Sequence, residues 1–164
     1  MLEINTKQII ESLIDTFLKA GKISLELRKK GLIKKIKSDN TPVTNGDLEV
    51  NEIISNKIIE LTPNLPIISE ETSDNKNMND LKNFWLIDPI DGTNDYVNNL
   101  EEFTINAGLI IEKKPAAGLI FAPAKNRMFY SYGENLAFEL KDGKSIKLNS
   151  SKNLNKNEIK FVSY

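Results

Sequence analysis

The chain has 164 residues, 40% hydrophobic and 27% charged, the size and composition of one compact globular domain. Its 22 basic and 23 acidic residues leave a net charge of −1, which excludes attraction to a nucleic-acid polymer or an anionic membrane surface through bulk charge. It has no histidine and no cysteine, which excludes a Ser-His-Asp triad, a phosphohistidine, imidazole- or thiolate-bound metals and disulfides. Any catalysis would fall to carboxylates, hydroxyls, lysines, backbone groups and hard metal ions.

From Asn5 or Thr6 to about Lys30, the apolar residues Ile9, Ile10, Leu13, Ile14, Phe17 and Leu18 recur at helical spacing. Asn5 or Thr6 can cap the start of this helix and Gly31 its end, while Gly21 marks either a weak point or a close packing contact. A second helix is predicted over 45–61, with Val50, Ile53, Ile54 and Ile58 inward and Pro63 as its stop. The period then changes. Short apolar runs at 66–69 and 84–87 read as strands, separated by a polar, Asp- and Asn-rich loop over 72–83. A hairpin follows, from 104–111 to 117–122, turned at 112–115. Further strands are predicted at 127–132, 136–140, 145–148 and 159–162, with a tight turn at Asp142-Gly143. Helices first and strands afterwards indicate an α+β fold, two N-terminal helices packed on a largely antiparallel sheet. The apolar runs at 107–111 and 116–123 are too short to span a bilayer, and the N-terminus has no signal-peptide pattern. The expectation is a soluble, cytoplasmic protein without a membrane span.

The most informative segment is Asp88-Pro89-Ile90-Asp91-Gly92-Thr93, which follows the apolar run Phe84-Trp85-Leu86-Ile87. It predicts a buried strand breaking into a turn, with Asp88 and Asp91 converging and the carbonyl of Ile90 between them. Like charges held that closely are unfavourable without a cation, and oxygen-only ligands suit Mg²⁺ or Mn²⁺. Gly92-Thr93 then opens a short helix whose free amides would face an anion, with the Thr93 hydroxyl beside them. Ser69-Glu70-Glu71 closes another strand, and Asp47 stands in the first turn of the second helix. Alone, Asp47 reads as a helix cap, and Glu70 and Glu71 read as solvated loop residues. Lys37 reads as solvated or as a contact to a substrate phosphate.

The segments Trp85-Leu86-Ile87-Asp88-Pro89-Ile90-Asp91-Gly92-Thr93, Ser69-Glu70-Glu71 and Thr41-Pro42-Val43-Thr44 leading to Asp47 resemble, in order and spacing, a family of magnesium-dependent, lithium-sensitive phosphomonoesterases. That superfamily contains the inositol monophosphatases and the 3′(2′),5′-bisphosphate nucleotidases. Residues 37–44, Glu102-Phe103-Thr104-Ile105-Asn106 and 118–123 resemble the CysQ-type nucleotidases most. The resemblance implies the N-terminal half of an αβαβα sugar-phosphatase sandwich. It implies Glu70, Asp88, the carbonyl of Ile90 and Asp91 as ligands of two or three Mg²⁺ ions, with Mn²⁺ as a substitute. Thr93, Asp47 and Glu70 would be catalytic, Thr93 orienting the attacking water with Asp47 in the nucleotidases or Glu70 in the inositol branch as its partner. Gly92 and Thr93 would bind the phosphate. The implied reaction converts adenosine 3′,5′-bisphosphate to AMP and phosphate.

Family members continue into a second half with a further metal-binding Asp in a Trp-Asp-x-x-Ala-Gly motif, which nothing in residues 1–164 matches. The expectation is therefore an N-terminal metal-binding domain over 1–164 with the C-terminal domain absent, in a truncated gene product, a fragment or half of an assembly. The alternatives are an inositol monophosphatase-like sugar or polyol phosphatase, and a non-catalytic metal- and phosphate-binding half-domain that works with a partner or as an oligomer.

Overall fold

The computed structural model describes residues 5–37, 42–71 and 80–149. Helix α1 (Thr6–Lys30) starts where the Asn5 side chain accepts a hydrogen bond from the Gln8 amide, and it ends at Gly31, whose φ of 100° favours glycine. Ile10, Leu13, Phe17 and Ala20 follow the expected spacing and are fully buried; each of the first three contributes roughly 1.5–3 kcal/mol by leaving water. β1 (Lys34–Ile36) and β2 (Pro42–Thr44) form a separate antiparallel pair that sequence reasoning missed. β1 is exposed throughout, so it carries no buried alternation to betray it. Helix α2 (Asn45–Leu61) buries Val50, Ile54 and Ile58, with Ile53 half-buried at the rim of the same core, and stops at Thr62 before Pro63.

Among the described residues seven strands form one sheet in chain order: β3 (Ile67–Ser69), β4 (Phe84–Asp91), β5 (Thr104–Ile111), β6 (Lys114–Ala122), β7 (Arg127–Ser131), β8 (Ala137–Lys141) and β9 (Lys144–Lys147). β3 and β4 pair in parallel and all other neighbours antiparallel. A short helix, α3 (Thr93–Val97), joins β4 to the segment before β5. This is the expected α+β architecture. Both hairpin turns have positive φ at their two central residues, Glu112 (49°) with Lys113 (61°) and Asp142 (50°) with Gly143 (73°), the handedness that matches strand twist. The expected strand at 159–162 and most of the expected loop, residues 72–79, lie outside the described residues, as does 38–41.

The helices cover one face of the sheet, α1 against α2, α2 over β4 and α1 over β6. Trp85, Ile105, Leu109 and Leu119 fill the layer between, and the Trp85 indole donates to Thr62 Oγ1 at 3.1 Å. The opposite face leaves Leu86 40% and Ile120 50% exposed, with Gly108 and Gly118 paired across β5 and β6 as a strip of bare backbone. Among the described residues no helix is long and apolar enough to cross a membrane.

β4 does not end at Ile87 as the sequence suggested; it runs through Pro89 to Asp91. Two features make that tolerable. β3 pairs only with Trp85–Ile87, so beyond Ile87 that edge of β4 has no strand partner among the described residues asking for an amide. On the other edge the ladder slips, Asp88 facing Asn106 and Asp91 facing Thr104. Three residues of β4 thus span what two of β5 span, and Pro89 sits inside the resulting bulge, where its missing N–H costs no ladder bond.

Gly21 is a packing contact. A Cβ there would run into the Phe121 ring and stand 3.1 Å from Pro123 Cβ. Gly21→Leu is expected to destabilise the fold by about 1–3 kcal/mol through overpacking, read as a lower urea midpoint. A midpoint equal to that of the native chain would show that α1 and β6 do not meet there.

Candidate metal and phosphate site

The β4 bulge creates the site. In a regular strand, residues three apart face opposite sides of the sheet. The extra residue restores parity, so Asp88 and Asp91 share the side facing away from the helices while Ile87 and Ile90 are buried. Asn106 joins them from β5, its Nδ2 donating to Asp91 Oδ2 at 3.2 Å. The parallel pairing of β3 brings Glu70 to the same end of the sheet, its amide donating to the Ile87 carbonyl at 3.2 Å.

Gly92 follows in the left-handed conformation, φ 90° and ψ 40°. A Cβ there would come within 2.8 Å of the Glu102 carbonyl, so both backbone and space require glycine. Gly92 is the N-cap of α3 and offers no side-chain cap, so the first-turn amides of that helix gain no side-chain acceptor from it. Thr93 Oγ1 lies 3.1 Å from the Ile90 carbonyl and 3.4 Å from Asp47 Oδ1, and can donate its one proton to either.

Asp47 is 1% exposed and divides its two oxygens between two tasks. Oδ2 accepts from the Thr44 amide and the Thr44 hydroxyl, completing a capping box, while Oδ1 faces Thr93. Burial raises the Asp47 pKa, and the bonds from Thr44, its own backbone and Thr93 oppose the rise. Asp47 is therefore a helix cap through one oxygen, and its other oxygen is left facing Thr93.

Lys37 is not solvated. Its Nζ bonds Glu70 Oε1 at 3.1 Å and Glu71 Oε1 at 2.9 Å. Burial disfavours its charge, yet the hydrogen bonds to Glu71 and Glu70 outweigh that and raise its pKa. The Glu71 side chain is 3% exposed and that of Glu70 48%. Burial raises the Glu71 pKa against the pull of Lys37, with the charge of Asp47 adding to the rise. Sequence reasoning overlooked Glu71 and Lys37 as a pair, and it named Asn106 only within a resembling segment and not as a site residue. The alternation of Thr104 and Asn106 with buried Ile105 and Ala107 was the signal for Asn106.

Asp88 shows what the site lacks in protein donors. Its Oδ1 is buried with no hydrogen-bond partner among the described residues, as is Asn106 Oδ1 across the ladder. Burial, followed by the charges of Glu70 and Asp91, a hydrogen bond with Glu70 and the charge of Asp47, pushes the Asp88 carboxyl up to about 7. A buried anionic oxygen among like charges calls for a positive partner, and an all-oxygen donor set fits Mg²⁺ or Mn²⁺. Among the described residues no three acidic side chains already stand close enough to form a closed cage. Lys37 holds Glu70 at 3.1 Å. Beside Asp91 lies a cleft of about 430 Å³ lined by Asp95, Glu101, Glu102, Phe103 and Lys125, within the range of small-ligand sites. Across it Lys125 bonds Glu102 at 2.8 Å and lowers the Glu102 pKa.

Residues 5–163 match the inositol monophosphatase family, and the chain belongs to it. It is 31% identical over 149 residues to a 3′(2′),5′-bisphosphate nucleotidase CysQ from Aggregatibacter actinomycetemcomitans, covering 90% of this chain and 55% of the relative. The Thermotoga maritima IMPase superposes with a TM-score of 0.71 at 26% identity, covering 87% of this chain and 54% of that one. An IMPase/NADP phosphatase solved with Mg²⁺ and phosphate shares the fold, with a TM-score of 0.71 at 22% identity over 83% of this chain and 52% of that one. The chain thus spans about half the length of the relatives it matches.

A carboxyl whose folded pKa is about 7 against an ordinary 3.8 binds its proton more tightly in the folded state than in the unfolded one. With divalent cations chelated, the stability this gives is complete below the unfolded value and is lost as pH rises through the folded one. Asp88→Asn, uncharged throughout, is expected to lose less stability than the native chain between pH 5 and pH 8 in thermal melts. Added Mg²⁺ is expected to stabilise the native chain at the upper pH and not the variant. Superimposable pH profiles would rule out an uncompensated charge at Asp88.

Proposed function

We propose that the chain carries the metal-binding half of a Mg²⁺-dependent phosphomonoesterase that converts adenosine 3′,5′-bisphosphate to AMP and phosphate. One observation supports this above others: the Thr93 hydroxyl stands 3.4 Å from a buried Asp47 carboxylate, whose charge acts on an Asp88 carboxyl with one oxygen that no donor among the described residues reaches. Glu70, Asp88, the Ile90 carbonyl and Asp91 would hold two or three divalent ions, Mg²⁺ by preference and Mn²⁺ as a substitute. Ions so held would activate water, polarise the phosphorus and neutralise the leaving oxygen. A cytoplasmic location and a small, diffusible phosphate ester as substrate belong to the same proposal.

The chain's own residues have distinct tasks in this reading. Thr93 donates its proton to Asp47 Oδ1, which leaves its oxygen lone pairs to accept from the attacking water and aim it. Asp47 can serve because Thr44 fixes its other oxygen, so the carboxylate cannot rotate away. The amides of Gly92 and Thr93, at the uncapped start of α3, bind the phosphate oxygens. Glu70 helps to place the water. Its bond to Lys37 keeps its charge balanced while no cation is near.

Phosphate release from adenosine 3′,5′-bisphosphate and from an inositol phosphate, with Mg²⁺ and with added Li⁺, tests the reading. Faster release from the polyol ester would reject the nucleotidase assignment. Asp91→Asn is expected to abolish Mg²⁺-dependent release and Mg²⁺ binding by calorimetry while preserving the fold, and unchanged affinity would remove Asp91 from the ligand set. Thr93→Ala is expected to retain Mg²⁺ binding and slow release by about 10²-fold or more; an unaffected rate would exclude Thr93 from the chemistry.

A further inference from the structure

Tyr96 is fully buried in α3, and none of the steps above uses it. Yet it links α1, the first turn of α2 and Phe103. Its hydroxyl donates to the Ser24 carbonyl of α1 at 2.7 Å. Its ring meets Phe103 with centroids 4.9 Å apart. The Arg28 guanidinium of α1 lies 5.8 Å from the Tyr96 centroid and 5.2 Å from that of Phe103, and it donates to the Leu100 carbonyl at 2.7 Å. The segment from Thr93 to Phe103 is thereby fastened to the last turns of α1.

On its remaining side Tyr96 presses against Gly46, in the first turn of α2. A Cβ at Gly46 would overlap the Tyr96 hydroxyl and stand 2.8 Å from Cε1. Glycine is a poor helix former, and here it is required by the approach of the tyrosine. Gly46 is the residue before Asp47, and Tyr96 lies one helical turn after Thr93. How closely the first turn of α2 can approach α3 is therefore fixed by the contact between Gly46 and Tyr96.

We infer that Tyr96 is a positioning residue: wedged between α1 and the first turn of α2, it sets the separation of Asp47 from Thr93. Through that separation it sets the direction of the hydroxyl assigned to the water. The inference rests on the proposed role of the Thr93–Asp47 pair, but its geometric content can be read without turnover. A tyrosine that only filled the core would affect stability alone.

The test uses the full chain with Mg²⁺ and compares Gly46→Ala, Tyr96→Phe and the double variant. The methyl NMR signal of Thr93 and the amide signal of Asp47 report geometry, urea melts report stability, and phosphate release gives kcat and KM. Gly46→Ala is expected to move both signals and to lower kcat about tenfold or more, since small misplacements near the chemistry are amplified. KM and the half-saturating Mg²⁺ concentration should stay within about twofold. Tyr96→Phe removes the oxygen that the new Cβ meets, so the double variant should recover part of the signal positions and part of the rate. The inference is overturned if Gly46→Ala melts earlier while both signals and kcat stay put, or if the two substitutions act additively. Should the native chain release no phosphate, the functional reading fails by itself, and the signals still decide the positioning. Should Gly46→Ala not fold, Arg28→Met is expected to shift the Tyr96 ring and Thr93 methyl signals together, and a stationary Thr93 methyl would overturn the inference.

Discussion

One inserted residue in β4 controls the rest of the site. Without the bulge between Asp88 and Asp91, the two carboxylates would lie on opposite faces of the sheet, one of them under the helices. With it they share a face, and the strand delivers Ile90 to the core in the same stretch. The chain accepts a difficult electrostatic arrangement in return. Four acidic groups (Asp47, Glu70, Asp88 and Asp91) are close enough to influence one another, and the surrounding fold is organised to bear that strain.

Lys37 provides the internal part of the compensation. A half-exposed pair such as Lys37 with Glu70 contributes at most about 1 kcal/mol, whereas a nearly buried carboxylate such as Glu71 would be costly if left unpaired. The contact to Glu71 is therefore the one that matters for stability, and the contact to Glu70 is the one more easily given up. Asp88 receives no such help, which distinguishes it from every other described carboxylate in the group. The capping box does the corresponding work for Asp47, using helix-terminal donors that any α-helix must satisfy somehow.

Much of this was legible in the sequence because it depends on local rules. Helical periodicity located α1 and α2 closely, and their ends followed from Asn5, Gly31 and Pro63. The hairpin strands were legible from their apolar alternation and their turns. The acidic segments were recognisable in order and spacing. What escaped depends on pairing partners, which a single segment does not encode. The bulge in β4 exists only relative to β5, and a proline in the middle of the segment argued for a turn until the unpaired edge and the slipped ladder were visible. Lys37 stood in a lysine-rich stretch, and nothing nearby in sequence showed that Glu70 and Glu71, thirty-three and thirty-four positions away, would reach it. The β1–β2 pair was too short and too exposed to announce itself.

The sheet is laid down in chain order, so each strand from β4 onward finds its neighbour almost as soon as that neighbour exists. Helix α1 is the exception. The ring that Gly21 is shaped to receive belongs to Phe121, a hundred residues downstream, and Thr6 hydrogen-bonds the Tyr132 carbonyl across a separation of 126 positions. Helix α1 is thus covered only once strands a hundred residues further along exist, and its oily stripe depends on α2 for shelter in the meantime. High-separation contacts of this kind slow folding and leave sticky intermediates exposed. Docking of the helix pair onto the meander is accordingly what brings Asp47 to Thr93 and completes the acidic cluster.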